Sequence, residues 1–412
     1  MSVKKIYGTF FLVYFTLGAF EAYFGLYIPL FYYEILDVNR NDLAFIQFFG
    51  YLSLIITPLV AYIFDVHIKS ERNHKICVFL CVILLCSCFC IFLINKNILI
   101  LYGVFLGVYF FSRMFIRTIM SKIFLTLSVE SPKIKHHMIL IVNGARGVSF
   151  LLISLFFDFV VKNVYSLPQW ELFFIIGWML TLPLLSILLF LRNNTIFSIQ
   201  NLNNVQKDNK NRTSKKKSRK KVKMFVIFLY IAFFLASSDL IFLSLVSSWV
   251  LTRYNEFSLR IFFSLYYVIS IFALLGYYFA SRIAKRISNI FLLFIFCCIY
   301  LFWLVLLPFS NFPMFLVIQC GLAFSGYIAN YMYVSIAQTI SVSTRYKTFA
   351  YQIILTCQSI ANIVFVPLGT TLSAIISVEK LIFVSSILLA FSCGIQLTLV
   401  FFNKNNQIKE FN

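Results

Sequence analysis

Twelve stretches of mostly apolar residues alternate with polar connections along the chain. They fall at roughly 8–33, 43–64, 76–94, 98–118, 138–161, 170–191, 224–249, 258–281, 289–308, 313–336, 350–373 and 380–402. A spanning helix takes about 20 such residues and closes its backbone hydrogen bonds within itself. The pattern therefore predicts an all-α polytopic membrane protein of twelve spans. Residues 118–137 leave room for a short interfacial helix. The start, MSVKKIYGTF, has a basic end, but the apolar run from Phe10 continues past Leu30 with no small-residue cleavage site. It reads as the first span, not a cleaved leader.

The long hydrophilic stretch, residues 193–223, is rich in Asn and Lys and too poor in apolar residues to fold alone. It divides the chain into 1–192 and 224–412, six spans each. Polar positions also set the orientation. With both ends inside, 27 Lys or Arg fall on inner segments and six on outer ones: Arg40, Lys96, Lys162, Arg253, Arg260 and Lys380. That bias predicts cytoplasmic termini and a cytoplasmic 193–223 linker. The Lys215–Lys223 cluster, just before the seventh span, suits anionic lipid head groups.

Composition changes the picture little. The chain is 61% hydrophobic and 12% charged, against about 25% charged in a soluble domain. A net charge of +21 would suggest nucleic acid, but eleven of the 35 basic residues lie between Arg192 and Lys223 and most others in short loops. No nucleic-acid partner is expected. The ten cysteines all sit in or beside apolar stretches, and no disulfide framework or metal site is expected from them. His136 and His137 are adjacent but lack a third ligand, so no metal is expected there either. There is no GxxxxGK[ST] stretch, HExxH or GxSxG motif. Neither a cofactor nor an enzymatic activity is expected.

The candidate chemistry is a few charges inside apolar segments. Glu21 and Asp239 lie near the middle of the first and seventh spans, in corresponding places of the two halves. A carboxylate at that depth costs about 2.5–3.5 kcal/mol on insertion scales, so its presence points to a proton relay or a substrate contact. Arg113 and Arg146 fall in the inner half of the fourth and fifth spans. Arg113 is near enough to the boundary to snorkel. Arg146 is deeper and flanked by Gly144 and Gly147, which permit close helix approach. It is expected to bind an anion, a polar substrate or one of the acids. Asn330, Gln358, Asn362 and Tyr266 are softer candidates for a cavity lining, with Gln358 and Asn362 four apart on one face.

A weak internal repeat supports duplicated architecture. Setting AYIFDVHIKSERNHK from Ala61 against GYYFASRIAKRISN from Gly276 pairs Tyr62 with Tyr277, Phe64 with Phe279 and Ile68 with Ile283. The first of these segments carries Asp65 followed by basic Lys69, Arg72 and Lys75. With the twelve spans and the central loop, it resembles the signature between the second and third helices of the major facilitator superfamily, with Ala61 at the family's glycine. The first half is also similar to sugar and nucleoside proton symporters. The resemblance implies two pseudo-symmetric six-helix bundles around a central cavity. It further implies a conformational latch at Asp65, Lys69 and Arg72, asymmetric because Ala280 replaces the acid in the second half. It implies a functional monomer in a plasma (inner) membrane, taking up a small polar organic solute with protons. An organic-anion or drug exporter or exchanger is the alternative on the same fold.

Overall fold

The computed structural model describes residues 3–67, 71–130, 132–163, 165–185, 225–235, 253, 266–342, 344, 346–372 and 375–406. Of Arg72, Tyr266 and Asn362 the backbone alone is described. Lys69, Asp239 and the 193–223 linker lie outside the described residues.

The apolar stretches form helices, numbered here α1–α12. The first, α1, runs Val3–Ala22, passes through a π-helical turn Tyr23–Tyr27 and resumes over Ile28–Glu34. Next, α2 runs Arg40–Leu52, tightens to a 3-10 turn at Ser53–Ile56 and continues as Thr57–Val66. The tightening falls just before Pro58, which has no N–H to donate. Thr57 Oγ1 instead donates to the Leu54 carbonyl at 2.6 Å. The first half continues with α3 Glu71–Ile94, α4 Leu99–Glu130, α5 Pro132–Val160 and α6 Leu167–Met179. In the second half are α7 Phe225–Leu235, α8 Tyr266–Ile283, α9 Asn289–Leu306, α10 Phe312–Val342, α11 Lys347–Leu372 and α12 Val378–Asn406. Among the described residues, nine helical segments are long and apolar enough to cross a membrane, and the described parts of α6, α7 and α8 are shorter.

One boundary departs from the sequence expectation. No separate interfacial helix follows residue 118, because α4 runs unbroken to Glu130 and α5 starts at Pro132. Ile123, Phe124 and Leu125 are buried on this extension. Lys122, buried too, donates to the Phe64 carbonyl of α2 at 2.8 Å. Packing thus continues a helix that hydropathy alone would end, and Arg117 belongs to the helix interior rather than to an inner loop.

The helix pairings repeat with an offset of six. In the first half α2 packs on α4, α3 on α4 and α3 on α6; in the second, α8 packs on α10, α9 on α10 and α9 on α12. The contacts between halves form a matching pair, α5 with α8 and α11 with α2. This is what a duplicated six-helix unit produces. Large apolar side chains such as Phe159, Ile100 and Phe302 are exposed on the outside, as a lipid-facing surface requires.

Candidate functional site

Glu21 stands two residues before the π-helical turn of α1, and such turns recur at functional sites. Close packing against α5 fixes its position. A Cβ on Gly18 would meet the Arg146 Cα at 2.9 Å and would also strike the Ser149 hydroxyl. Only glycine lets the two backbones come this near. Toward the second half, a Cβ on Gly147 would meet the Leu274 side chain of α8 at 2.8 Å. At Gly147 the neighbour is the end of a leucine side chain and not a helix backbone, and Gly144 has nothing within 4 Å of its missing Cβ.

This packing brings Glu21 between two arginines. Arg146 donates through Nη2 to Glu21 Oε2 at 2.5 Å, and Arg113 Nη2 lies 3.2 Å from Oε1. Each carboxylate oxygen therefore has its own guanidinium. The Arg113 guanidinium also lies 5.9 Å from the centres of the Tyr109 and Phe110 rings. Arg113 does not snorkel to the boundary; its side chain is 12% exposed and faces inward to Glu21. The side chains of Glu21 and Arg146 are each 28% exposed. The helix that carries Arg146 packs on α8 of the second half, so the pair stands near the seam between the halves. Arg146 reaches the second half through Tyr277 and Tyr327, both within its electrostatic field. Those two rings meet edge to face at 4.9 Å, and Asn330 Nδ2 donates to the Tyr277 hydroxyl at 3.0 Å.

A third arginine belongs to the same cluster. Arg117, one turn beyond Arg113 on α4, interacts electrostatically with Arg113 and Arg146 and with the hydroxyls of Tyr14 and Tyr351. It makes no hydrogen bond or ion pair among the described residues. Sequence reasoning missed it because it sits beside the basic loop where hydropathy ended the span. The i, i+4 spacing of Arg113 and Arg117 was the available signal. Tyr277 was also missed, although the internal repeat pairs it with Tyr62. Tyr51 of α2 and Tyr109 complete the groups facing Glu21.

Other candidates fall elsewhere. Asp65, at the end of α2, accepts from the backbone N–H groups of Thr348 and Phe349 at 3.0 Å each. Those are first-turn donors of α11, unsatisfied within their own helix and favourable to a negative charge. Asp65 therefore ties the first half to the second through backbone donors. Tyr62 packs its ring on Tyr346 and Phe349 at the same place, at 5.5 and 5.7 Å. Gln352 of α11 donates to Ser121 of α4 at 3.2 Å. On the opposite seam His136 Nδ1 lies 3.1 Å from the Tyr331 hydroxyl. All these ties lie toward the end of the bundle where α2 meets α11. Gln358 is half-buried on α11 and makes no hydrogen bond among the described residues. Among those residues no three of His, Cys, Asp or Glu gather as a metal site.

No sequence-family model matches the chain, and no curated protein matches it by sequence. Solved structures match in shape over nearly the full length. The human organic anion transporter MFSD10 (TETRAN) is 12% identical, with 96% of this chain and 100% of that one covered at a TM-score of 0.69. The Escherichia coli fucose:proton symporter FucP covers 95% and 98% at 10% identity and 0.65. This chain has the major facilitator fold. The nucleoside transporter NupG likewise shares that fold, at 11% identity, 97% and 98% coverage and a TM-score of 0.62.

Proposed function

We propose that the chain is a secondary active transporter that moves a small polar organic solute, coupled to protons, by alternating access. The observation that carries this reading is Glu21, a carboxylate deep in a spanning helix, held by Arg113 and Arg146 at the seam between the halves. A carboxylate shared by two, with access to the space between bundles, can exchange its partners and its proton as that space opens to alternate sides. The two six-helix bundles, 1–192 and 224–412, are the moving bodies, and 193–223 is their cytoplasmic tether. Asp65, Lys69 and Arg72 form the latch that holds the inner end closed. Asp239 is the second-half counterpart of Glu21. Tyr266, Asn330, Gln358 and Asn362 contribute to the cavity wall. The chain works as a monomer in the plasma membrane with both termini inside.

The neighbours of this fold include a fucose:proton symporter, a nucleoside transporter and an organic anion transporter. Uptake is the favoured direction. Export or exchange of an organic anion is the second reading, favoured by the surplus of arginines at the site. Purified protein in liposomes with an imposed proton gradient tests the proposal. Solute accumulation that collapses with the gradient supports coupling, while transport indifferent both to the gradient and to Glu21→Gln removes it.

A further inference from the structure

Charge counting at the site names the class of solute. Arg113, Arg117 and Arg146 lie within each other's fields, with the Glu21 carboxylate as their sole described counter-charge. Arginine stays protonated in proteins, so the described cluster holds two uncompensated positive charges. The sequence supplies one more carboxylate at comparable depth, Asp239. Even if that acid faced the cluster, one positive charge would remain. Isolated charge inside a bilayer is costly and is retained where something neutralises it.

Placement argues the same way. Arg117 lies 18 residues from the start of α4, about 27 Å along the helix axis at 1.5 Å per residue. Arg113 is one turn above it, and Ser121, one turn below, is bonded to Gln352 across the seam. Arg117 therefore stands on the α4 face that meets the second half, one turn from a tie that joins the two halves. Tyr14 of α1 and Tyr351 of α11 interact with it electrostatically, so hydroxyl groups of both halves belong to its surroundings.

We infer that the transported solute is an anion, its carboxylate or phosphate group bound by Arg117 together with Arg113 and Arg146. The inference rests on the transport reading above and holds for either direction of movement. It also supplies a coupling step. When the solute's anionic group takes Arg146 and Arg113, Glu21 loses its counter-charges and takes up a proton. The groups facing Glu21 from the surrounding helices are Arg113, Arg117 and Tyr109 of α4, Arg146 of α5, Tyr51 of α2 and Tyr277 of α8. Apart from the three arginines these are neutral tyrosines. One monoanion and one proton would move together with no net charge. No covalent bond changes.

The test is a thermal-shift series on the purified full chain with inorganic phosphate, succinate and benzoate, against chloride at matched ionic strength and against the neutral probes glucose and uridine. At least one of the three anions should raise the melting temperature of the wild type by several degrees. Arg117→Gln should abolish that shift, and Arg117→Lys should retain part of it. The apo Arg117→Gln protein should melt no lower than wild type, since the change relieves like-charge repulsion; that separates loss of binding from loss of folding. No anion shift in the wild type, an anion shift that survives Arg117→Gln, or a shift with glucose or uridine alone would each overturn the inference. Liposome uptake of the stabilising anion separates the two proposals. Binding without transport leaves the anion site standing and removes the transport reading, whereas transport of a neutral solute unaffected by Arg117→Gln does the reverse.

Discussion

Glu21 is the residue on which the site depends most, because it alone among the described residues offsets the arginines. Replacing it with Gln keeps the shape and removes the charge. Breaking a buried pair from one side costs about 3–5 kcal/mol, and partial exposure of this carboxylate places Glu21→Gln toward the lower end. Its melting temperature should fall by several degrees, and proton-driven accumulation should be lost while exchange of solute across the membrane persists. Paired measurements of melting and of counterflow in liposomes check this. Persisting accumulation would assign proton coupling elsewhere. Restoring charge balance with Glu21→Gln plus Arg146→Gln should recover stability without recovering accumulation. Stability that stays low in the double variant would show that the pair acts through shape rather than charge.

At the scale of elements, the contact of α1 with α5 decides whether Glu21 meets Arg146 at all. A Cβ at Gly18 would press on the Arg146 backbone, and an added side chain in such a place costs about 1–3 kcal/mol through backbone shifts. Gly18→Leu should therefore lower the melting temperature and weaken solute binding together, although residue 18 carries no polar group. A variant that binds as well as wild type would mean that α1 can slide without parting the pair. Sequence reasoning reached the glycines beside Arg146 but not Gly18, since a single small residue in an apolar helix carries no periodic signal. Nor did it reach Arg117. Hydropathy ended the span at 118, while buried Ile123, Phe124 and Leu125 carry the helix on.

For the molecule as a whole, among the described residues, side-chain hydrogen bonds between the halves include those near the place where α2 ends and α11 begins. Asp65 contributes two backbone N–H bonds there, and hydrogen bonds to a charged group are worth about 1.5–3 kcal/mol. If Asp65 is the latch proposed above, losing about 2 kcal/mol would shift the balance between closed and open forms of that end by about thirtyfold. Asp65→Ala should accordingly raise the labelling rate of a cysteine placed at Ser121 from the inner side, with little change in melting temperature. An unchanged rate would show that the Tyr62 contacts with Tyr346 and Phe349 suffice to hold that end. Orientation has its own check. A cysteine near Lys215 should label only from the cytoplasm, and labelling from outside would invert the topology.

Sequence alone determined the helical membrane architecture, since apolar runs of about 20 residues match a spanning helix and are twice the length of a barrel strand. It also picked out Glu21, Arg113 and Arg146, because a charge in an apolar run is costly wherever it ends up. The internal repeat was legible through Tyr62 and Tyr277, but not that one packs against α11 and the other stands beside Arg146. Only the tertiary structure decided which charges meet. Glu21 and Arg146 are 125 residues apart, and their contact follows from helix crossing, a glycine and a π turn, none of which hydropathy encodes. The same holds for Asp65, whose partners are backbone groups that every residue possesses. Their availability depends on a helix beginning where α2 ends, and that is a property of the assembled bundle.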